Sequence, residues 1–439
     1  MSAELPRDWS CLTLGEICAK SGGFIQTGPF GSQLHASDYT TLGVPVVMPI
    51  NIGENHIAEE GIVRIPLAEA ARLGRHRLRT GNIVYGRRGD IGRRALITDN
   101  EDGWLCGTGC LRIDFGSGVL DPEFATYFLS NPETRDWIVR RAVGTTMPNL
   151  NTAILAAVPF VVPPLSEQRA IGRALAALDD KIELNRRMNQ TLESMARGIF
   201  RSWFVDFDPV VAKAAGRQPF GMSADVAALF PARFVDSDLG PIPINWHYSP
   251  LTRLAQVIMG ASPPGSSYNF CGDGVSLING PVEFGDRYPV RTKWTTAPTR
   301  RAQNGDLILC VRGSTTGRMV KSNGEYCLGR GVCTIRARLG CQSFIDVAML
   351  LNLDRLLSLT AGSVFPNLTG ADIEAFAVLT PPEALVLTYS SGADQLSAQI
   401  QANDEQSRTL AALRDTLLPK LMSGELRVRD AEKLAGSHV

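Results

Sequence analysis

Cys106 and Cys110 stand close together, and two thiolates at that spacing could hold one side of a zinc site. No second cysteine pair and no histidine cluster completes the set. The five histidines, at 35, 56, 76, 247 and 438, are scattered without the spacing of a nucleophile triad. GSTTGRM (313–319) is one residue short of a phosphate-cradling loop and has arginine in place of its lysine. Asp179-Asp180-Lys181 has the composition of a nuclease fragment, yet it falls in a run of helical spacing where a solvated charged face is expected. The Pro-Pro pairs follow Val162, Ser262 and Thr380, so none builds the Asn/Asp-Pro-Pro-aromatic tetrapeptide of amino-methyltransferases. These observations point to a binding protein with no catalytic residue, metal or cofactor of its own.

Arginine is the residue type whose pattern stands out. Lys+Arg and Asp+Glu both number 44, so the net charge is zero, but the charge is not evenly spread. Between Arg72 and Arg94 there are eight arginines and one acid, Asp90; between Arg287 and Arg338 there are eleven Lys/Arg and two acids, Asp306 and Glu325. A polyanion is bound by local basic faces, whatever the total. Candidate nucleic-acid contacts are Arg75, Arg77, Arg87, Arg88, Arg93 and Arg94 in the first cluster, and Lys293, Arg300, Arg301, Arg312, Arg318 and Arg330 in the second. Guanidinium groups present bidentate donors to phosphates and guanine edges, and the glycines of YGRRGDIGRR let backbone approach closely. Spacing alone does not separate base-reading arginines from phosphate-holding ones.

The elements that must position these arginines are spelled twice. GTTMPNLN (144–151) and GSVFPNLT (362–369) are 218 residues apart, as are the Pro-Pro pairs at 163–164 and 381–382. LPRDW (5–9) resembles IPINW (242–246), GNIVYGRRGDIGR (81–93) resembles GDLILCVRGSTTGR (305–318), and CGTGCLRI resembles CLGRGVCTIR. The offset falls from 237 to 218 along each copy, so the interiors differ while the ends agree. IVYGRRG and LILCVRG read as strands entering a Gly-Arg turn, and AVPFVV and AFAVLT as strands before the prolines. PEFATYFLSNPETRDWIVRRA and FIDVAMLLNLDRLLSLTA carry helical spacing.

After each Pro-Pro comes a heptad seam: Ile171, Leu175, Leu178, Ile182, Asn185, Asn189, Leu192, Ala196 and Ile199 in the first copy. Its counterpart is Tyr389, Ala393, Leu396, Ile400, Asn403, Ser407, Leu410, Arg414 and Leu417. Asn185 and Asn403 occupy the same seam position, where a buried polar residue fixes register, so the two helices are expected to pair. Ser166 is the expected N-cap of the first, which would then run about 57 Å. Ser390, Ser391 and Gly392 are poor helix interior, so the second helix is expected to start near Asp394 or to break there. Asp208–Asn245 reads as a connection.

The expected architecture is mixed α+β. A first globular domain covers 1–164 and a long helix 165–207. Linker and second domain follow at 208–383, then a second long helix and tail at 384–439. Nothing in the amino-terminal residues reads as a signal peptide, and the longest apolar run, around Ala156–Val162, is too short to span a bilayer. Nine cysteines without a framework fit reduced thiols in a cytoplasmic protein.

Residues 163–210, PPLSEQRAIGRALAALDDKIELNRRMNQTLESMARGIFRSWFVDFDPV, resemble the central region of specificity subunits of Type I restriction-modification enzymes, and LRDTLLPKLMSGEL (413–426) resembles their carboxy-terminal counterpart. GPFGSQLHASDY (28–39), GASPPGSSYN (260–269) and both PNL phrases fit the family's recognition domains. The resemblance implies two target-recognition domains, each reading half of a bipartite double-stranded DNA site, joined by two antiparallel coiled-coil helices as a pseudo-two-fold tandem repeat. It implies two modification subunits bringing S-adenosylmethionine, and restriction subunits bringing ATP, Mg and translocation. A self-sufficient methyltransferase or nuclease, and a scaffold that does not bind DNA, are the competing readings.

Overall fold

The computed structural model describes residues 6–88, 90–142, 149–359 and 367–428. The chain forms two compact units, one of residues 1–185 with 404–439 and the other of residues 186–403. Most of each repeated phrase, Gly144–Pro148 and Gly362–Pro366, lies outside the described residues.

In the first unit, Ser10–Thr13 pairs antiparallel with Pro159–Val162. A four-stranded antiparallel sheet runs in the order Phe24–Thr27, Cys110–Asp114, Ile83–Gly86, Arg94–Leu96. A three-stranded sheet places Val44–Val47 between Val63–Ile65 and Leu105–Cys106, the latter parallel. The second unit repeats this plan. His247–Pro250 pairs with Ala377–Thr380. Its four-stranded sheet runs Ala255–Met259, Val332–Ala337, Leu307–Cys310, Met319–Lys321. Val275–Ile278 lies between antiparallel Trp294–Thr295 and parallel Tyr326–Leu328.

Local chemistry explains why the central strands start where they do. The Arg79 N–H donates to Asn82 Oδ1 at 3.1 Å, and the Gln303 N–H to Asp306 Oδ2 at 2.7 Å. The intervening Gly81 and Gly305 have φ of 87° and 88°, the left-handed conformation such a turn needs. Ile83–Gly86 and Leu307–Cys310 are buried throughout, as a short continuous apolar run predicts. The helical spacing after residue 121 resolves into two helices, Pro122–Ser130 and Pro132–Arg141, because Pro132 cannot donate into a continuing helix. Asp121 caps the first, accepting from the Glu123 and Phe124 amides.

The long helices are Leu165–Phe204 and Glu383–Ser423. The first begins before Ser166, which therefore is not its cap. Within the first unit, Ile171, Leu175 and Leu178 are buried with Leu410, Leu417 and Leu421. Ile182 is half-buried beside them. Asp179 Oδ1 meets Arg414 Nη1 at 2.6 Å and its Oδ2 accepts from the Tyr127 hydroxyl at 2.7 Å, so it is an anchor and not a solvated charge. Within the second unit, Tyr389, Ala393 and Ile400 are buried, Leu192 and Leu396 half-buried, and the Tyr389 hydroxyl donates to the Ala196 carbonyl. Asn185 Nδ2 donates to Ser407 Oγ at 3.2 Å, and Asn403 Nδ2 to Asn189 Oδ1 at 2.8 Å. Under the 218-residue repeat these are one contact made twice, antiparallel in both units.

Two further expectations for the helices are corrected. Ile199 is 40% exposed, and Phe200 and Phe204 take the buried stripe. A straight helix drifts about 20° per heptad from a 3.5-residue repeat, so by the fourth heptad the buried face has moved one residue on. The second helix neither starts late nor breaks at Ser390–Gly392: it runs unbroken from Glu383, with Ser390 buried and Gly392 on the exposed side. The missing LSEQR has a physical counterpart. In the first unit Gln168 is fully buried, donating to the Val119 and Pro163 carbonyls and accepting from the Asp121 amide, while Glu167 accepts from the Trp9 indole. The equivalent Leu385 and Val386 are buried among Phe200, Phe344 and Tyr389, replacing a polar clamp with apolar packing.

All nine cysteines are free, and Cys11 and Cys271 alone are exposed. Burial pushes the Cys106 and Cys333 thiols up to about 12, and Cys110 well above its ordinary value. At neutral pH, iodoacetamide is expected to modify Cys11 and Cys271 in the native protein and the other seven only on unfolding. Mass spectrometry of the alkylated protein checks this; rapid native labelling of Cys106 would contradict the packing described.

Candidate nucleic-acid interface

The strand Ile83–Gly86 delivers Arg87 and Arg88, and Leu307–Cys310 delivers Val311 and Arg312. The two turns are held by the same bonds. The Arg87 amide donates to the Gly109 carbonyl at 2.8 Å, and the Val311 amide to the Gly331 carbonyl at 2.9 Å. The Leu150 amide donates to the Arg87 carbonyl at 2.9 Å, and the Leu368 amide to the Val311 carbonyl at 3.0 Å. Single β-bridges join Arg88 to Asn149 and Arg312 to Asn367. The buried Leu150 and Leu368 thus pin each described part of the PNL phrase against a Gly-Arg turn. Asn149 Oδ1 accepts from Arg87 Nε at 3.1 Å, which aims that guanidinium. Arg88 and Arg312 are exposed, and their guanidinium groups have no polar partner among the described residues.

A second loop reaches the same place in each unit. The Gly28 amide donates to the Cys110 carbonyl at 2.9 Å, and the Gly260 amide to the Val332 carbonyl at 3.0 Å. A Cβ on Gly28 would collide with the Gly107 carbonyl, and one on Gly260 with the Gly329 carbonyl, so only glycine lets these backbones cross. Beyond Gly260, a cavity of about 490 Å³ is lined by Ser262, Tyr268, Asn279 and Arg330. A third segment flanks the other side of the crossing. The 3-10 turns Pro49–Asn51 and Pro281–Glu283 are matched, with the Ala58 amide donating to the Asn51 carbonyl and the Val290 amide to the Glu283 carbonyl, each at 2.8 Å.

The arginines of the sequence clusters divide into several roles. Arg94 is corrected outright: it is 5% exposed, and its Nε donates to the Thr126 carbonyl at 2.7 Å. Burial lowers its pKa from the usual guanidinium value. It packs on the inner face of its strand and is not available to a ligand. Arg75 and Arg77 brace loops: Arg75 Nε donates to His76 and its Nη2 lies 3.4 Å from Gln33 Oε1, while Arg77 Nη1 donates to the Gly103 carbonyl at 2.8 Å. Arg93 is paired with Asp90 at 2.9 Å and Arg301 with Glu325, both on the surface. Arg300 and Arg330 are exposed, and Arg318 is exposed with its guanidinium 5.8 Å from the Phe284 ring. Lys293 Nζ lies 5.9 Å from the rings of Tyr268 and Phe270, a cation–π arrangement. Sequence reading missed Arg112, which is buried and donates to the Arg75 carbonyl and to Gln26, tying the first basic segment together. It lies outside the dense run that drew attention to the others.

The geometry is one basic loop cluster built twice. The model of the Type I restriction modification DNA specificity domain matches residues 6–194. The HindI specificity subunit of Haemophilus influenzae is 25% identical over 80% of this chain and 87% of its own length. The putative MjaX specificity subunit of Methanocaldococcus jannaschii is 22% identical over 97% of this chain and 95% of its own. Across most of its length the chain is similar to specificity subunits of Type I restriction enzymes. The crystal structure of the S subunit from M. genitalium has the same fold, with a TM-score of 0.61 over 96% of this chain and 98% of that one at 15% identity. A specificity subunit recognises DNA sequence and is the non-catalytic component of its complex. No cluster of potential metal ligands occurs among the described residues, and none of their helices is long and apolar enough to cross a membrane.

Proposed function

We propose that each unit of this specificity subunit reads one half of a bipartite DNA site through the loop cluster around Gly107–Gly109 or Gly329–Gly331. The observation that carries this reading is the recurrence of the Arg88 and Arg312 turns, held by the same backbone bonds and exposing in both units a guanidinium without a polar partner among the described residues. Exposed, unpaired arginines on a fixed turn are what phosphate contact and guanine readout need. The two long helices set the spacer between half-sites and dock two modification subunits, one per copy of the repeat. S-adenosylmethionine belongs to those subunits, and ATP and Mg to the restriction subunits that complete the complex in the cytoplasm.

Genome-wide adenine methylation in cells expressing this chain with its modification subunit tests the proposal. The expected result is a bipartite methylated motif with a fixed gap. No new methylation, with the modification subunit folded and bound, overturns it.

A further inference from the structure

Ile50 and Val282 are 85% and 84% exposed. Scattered exposed aliphatic residues are ordinary on a protein surface and need no explanation. What sets these two apart is their place. Each is the middle residue of a matched 3-10 turn, between Pro49 and Asn51 or between Pro281 and Glu283.

Both turns are rigid. Asn51 is buried, its Oδ1 accepting from the Met48 amide at 3.0 Å and its Nδ2 donating to the Ala58 carbonyl. Glu283 is buried in the same position, its Oε2 accepting from the Asn279 and Gly280 amides at 3.2 Å each. A polar side chain turned inward therefore fixes an apolar side chain pointing outward. The turns also adjoin the interface. Gly109 faces the Pro49 ring and Gly331 faces the Asn279 backbone, while the carbonyls of the same two glycines hold the Arg87 and Val311 amides. In each unit one glycine loop has the guanidinium-bearing turn on one side and the apolar tip on the other.

We propose that Ile50 and Val282 are specificity-determining residues, each reading the 5-methyl group of one thymine in the half-site of its own unit. The proposal rests on the DNA-recognition reading above. Apolar contact to the thymine methyl is the one base-edge interaction in the major groove that rewards an aliphatic tip. Both tips are β-branched, with few rotamers to lose on contact.

The test uses the full chain assembled with its modification subunits and a duplex carrying its methylated site. Thymines are replaced one at a time by deoxyuridine, which removes only the methyl group. In the first half-site one replacement is expected to weaken binding roughly fourfold, the worth of one buried methyl. Ile50→Ser should erase that difference, Ile50→Val should keep it because the second unit uses valine there, and Val282→Ser should act only on the second half-site. Phe220→Ser, on an exposed residue of the linker, should change nothing. The proposal is overturned if Ile50→Ser retains every thymine-to-uracil ratio, if it affects both half-sites alike, or if it releases the modification subunits. A wild-type complex that fails to prefer its own site over a scrambled duplex would instead overturn DNA recognition by these loops altogether.

Discussion

Reversing the charge at Arg88 and Arg312 together, as Arg88→Glu with Arg312→Glu, is expected to lower the affinity of the assembled complex for its bipartite site by roughly a hundredfold at low salt. The slope of log affinity against log salt should fall by about two units, since each neutralised phosphate contributes about 0.9. The size follows from what surrounds the two residues. Both are exposed, neither guanidinium has a polar partner among the described residues, and both turns are bonded at fixed height by Gly109 or Gly331. Neighbouring arginines serve as internal comparisons. Arg93→Glu should do less, because Asp90 already neutralises that side chain. Arg94→Glu should damage folding, because it buries a carboxylate opposite the Thr126 carbonyl. Binding measured at four or more salt concentrations separates these cases. An unchanged affinity for the double variant would remove the Gly-Arg turns from the interface and favour a scaffold that does not touch DNA.

The second large effect concerns length. Deleting 186–192 from the first long helix and 400–406 from the second removes one heptad from each and keeps the antiparallel register of what remains, at the cost of the Asn185 bond to Gln406. Asn185 and Ser407 stay opposite each other. Seven residues are about 10.5 Å of helix and fall only about 20° short of two full turns, so the facing surfaces are kept. The preferred spacer should shorten by about three base pairs at 3.4 Å each, with both half-site sequences unchanged. Sequencing of the methylated motif reads this directly. Altered half-site bases at the old spacing would refute the helices as the measure of the gap. Deleting either heptad alone should destabilise the protein, because Asn189 and Asn403, each buried, would lose one another.

Much of this organisation was legible from repetition. Pro-Pro, PNL and the Gly-Arg turn recur, and the structure gives each pair the same hydrogen bonds. The roles of individual arginines were not legible, because density along the chain says nothing about which face of a strand a residue occupies. Arg93 and Arg94 are neighbours, but Arg93 lies in the turn before the strand, paired with Asp90 at the surface, while Arg94 opens the strand and is buried. Ile199 failed for a related reason: a heptad template imposes a 3.5-residue period on a helix whose buried stripe drifts. The continuity of the second helix through Gly392 was hidden because propensity is local, while the packing of Leu385, Val386, Tyr389 and Ala393 against the second core is not. The turns at Pro49 and Pro281 escaped notice because Asn51 and Glu283 differ in identity and agree only in what their side chains accept.

The two compact units interleave along the chain. Residues 404–423 complete the unit that residues 1–185 begin. Trp9 donates to Glu167 and lies under the Arg427 guanidinium, and Asp8 faces Arg427 at 3.6 Å. On the ribosome, then, the two units mature in reverse order of synthesis. The second, one unbroken stretch of chain, has all its parts once residue 403 has emerged. The first emerges early, without Leu410, Leu417 and Leu421, which complete the cluster around Ile171, Leu175 and Leu178, and must wait for the last helical turns to be translated. Its nascent form lacks the apolar side chains of the second helix for the whole time that more than two hundred further residues are being made, which is the interval in which a chaperone or a second nascent chain would meet that unfinished side.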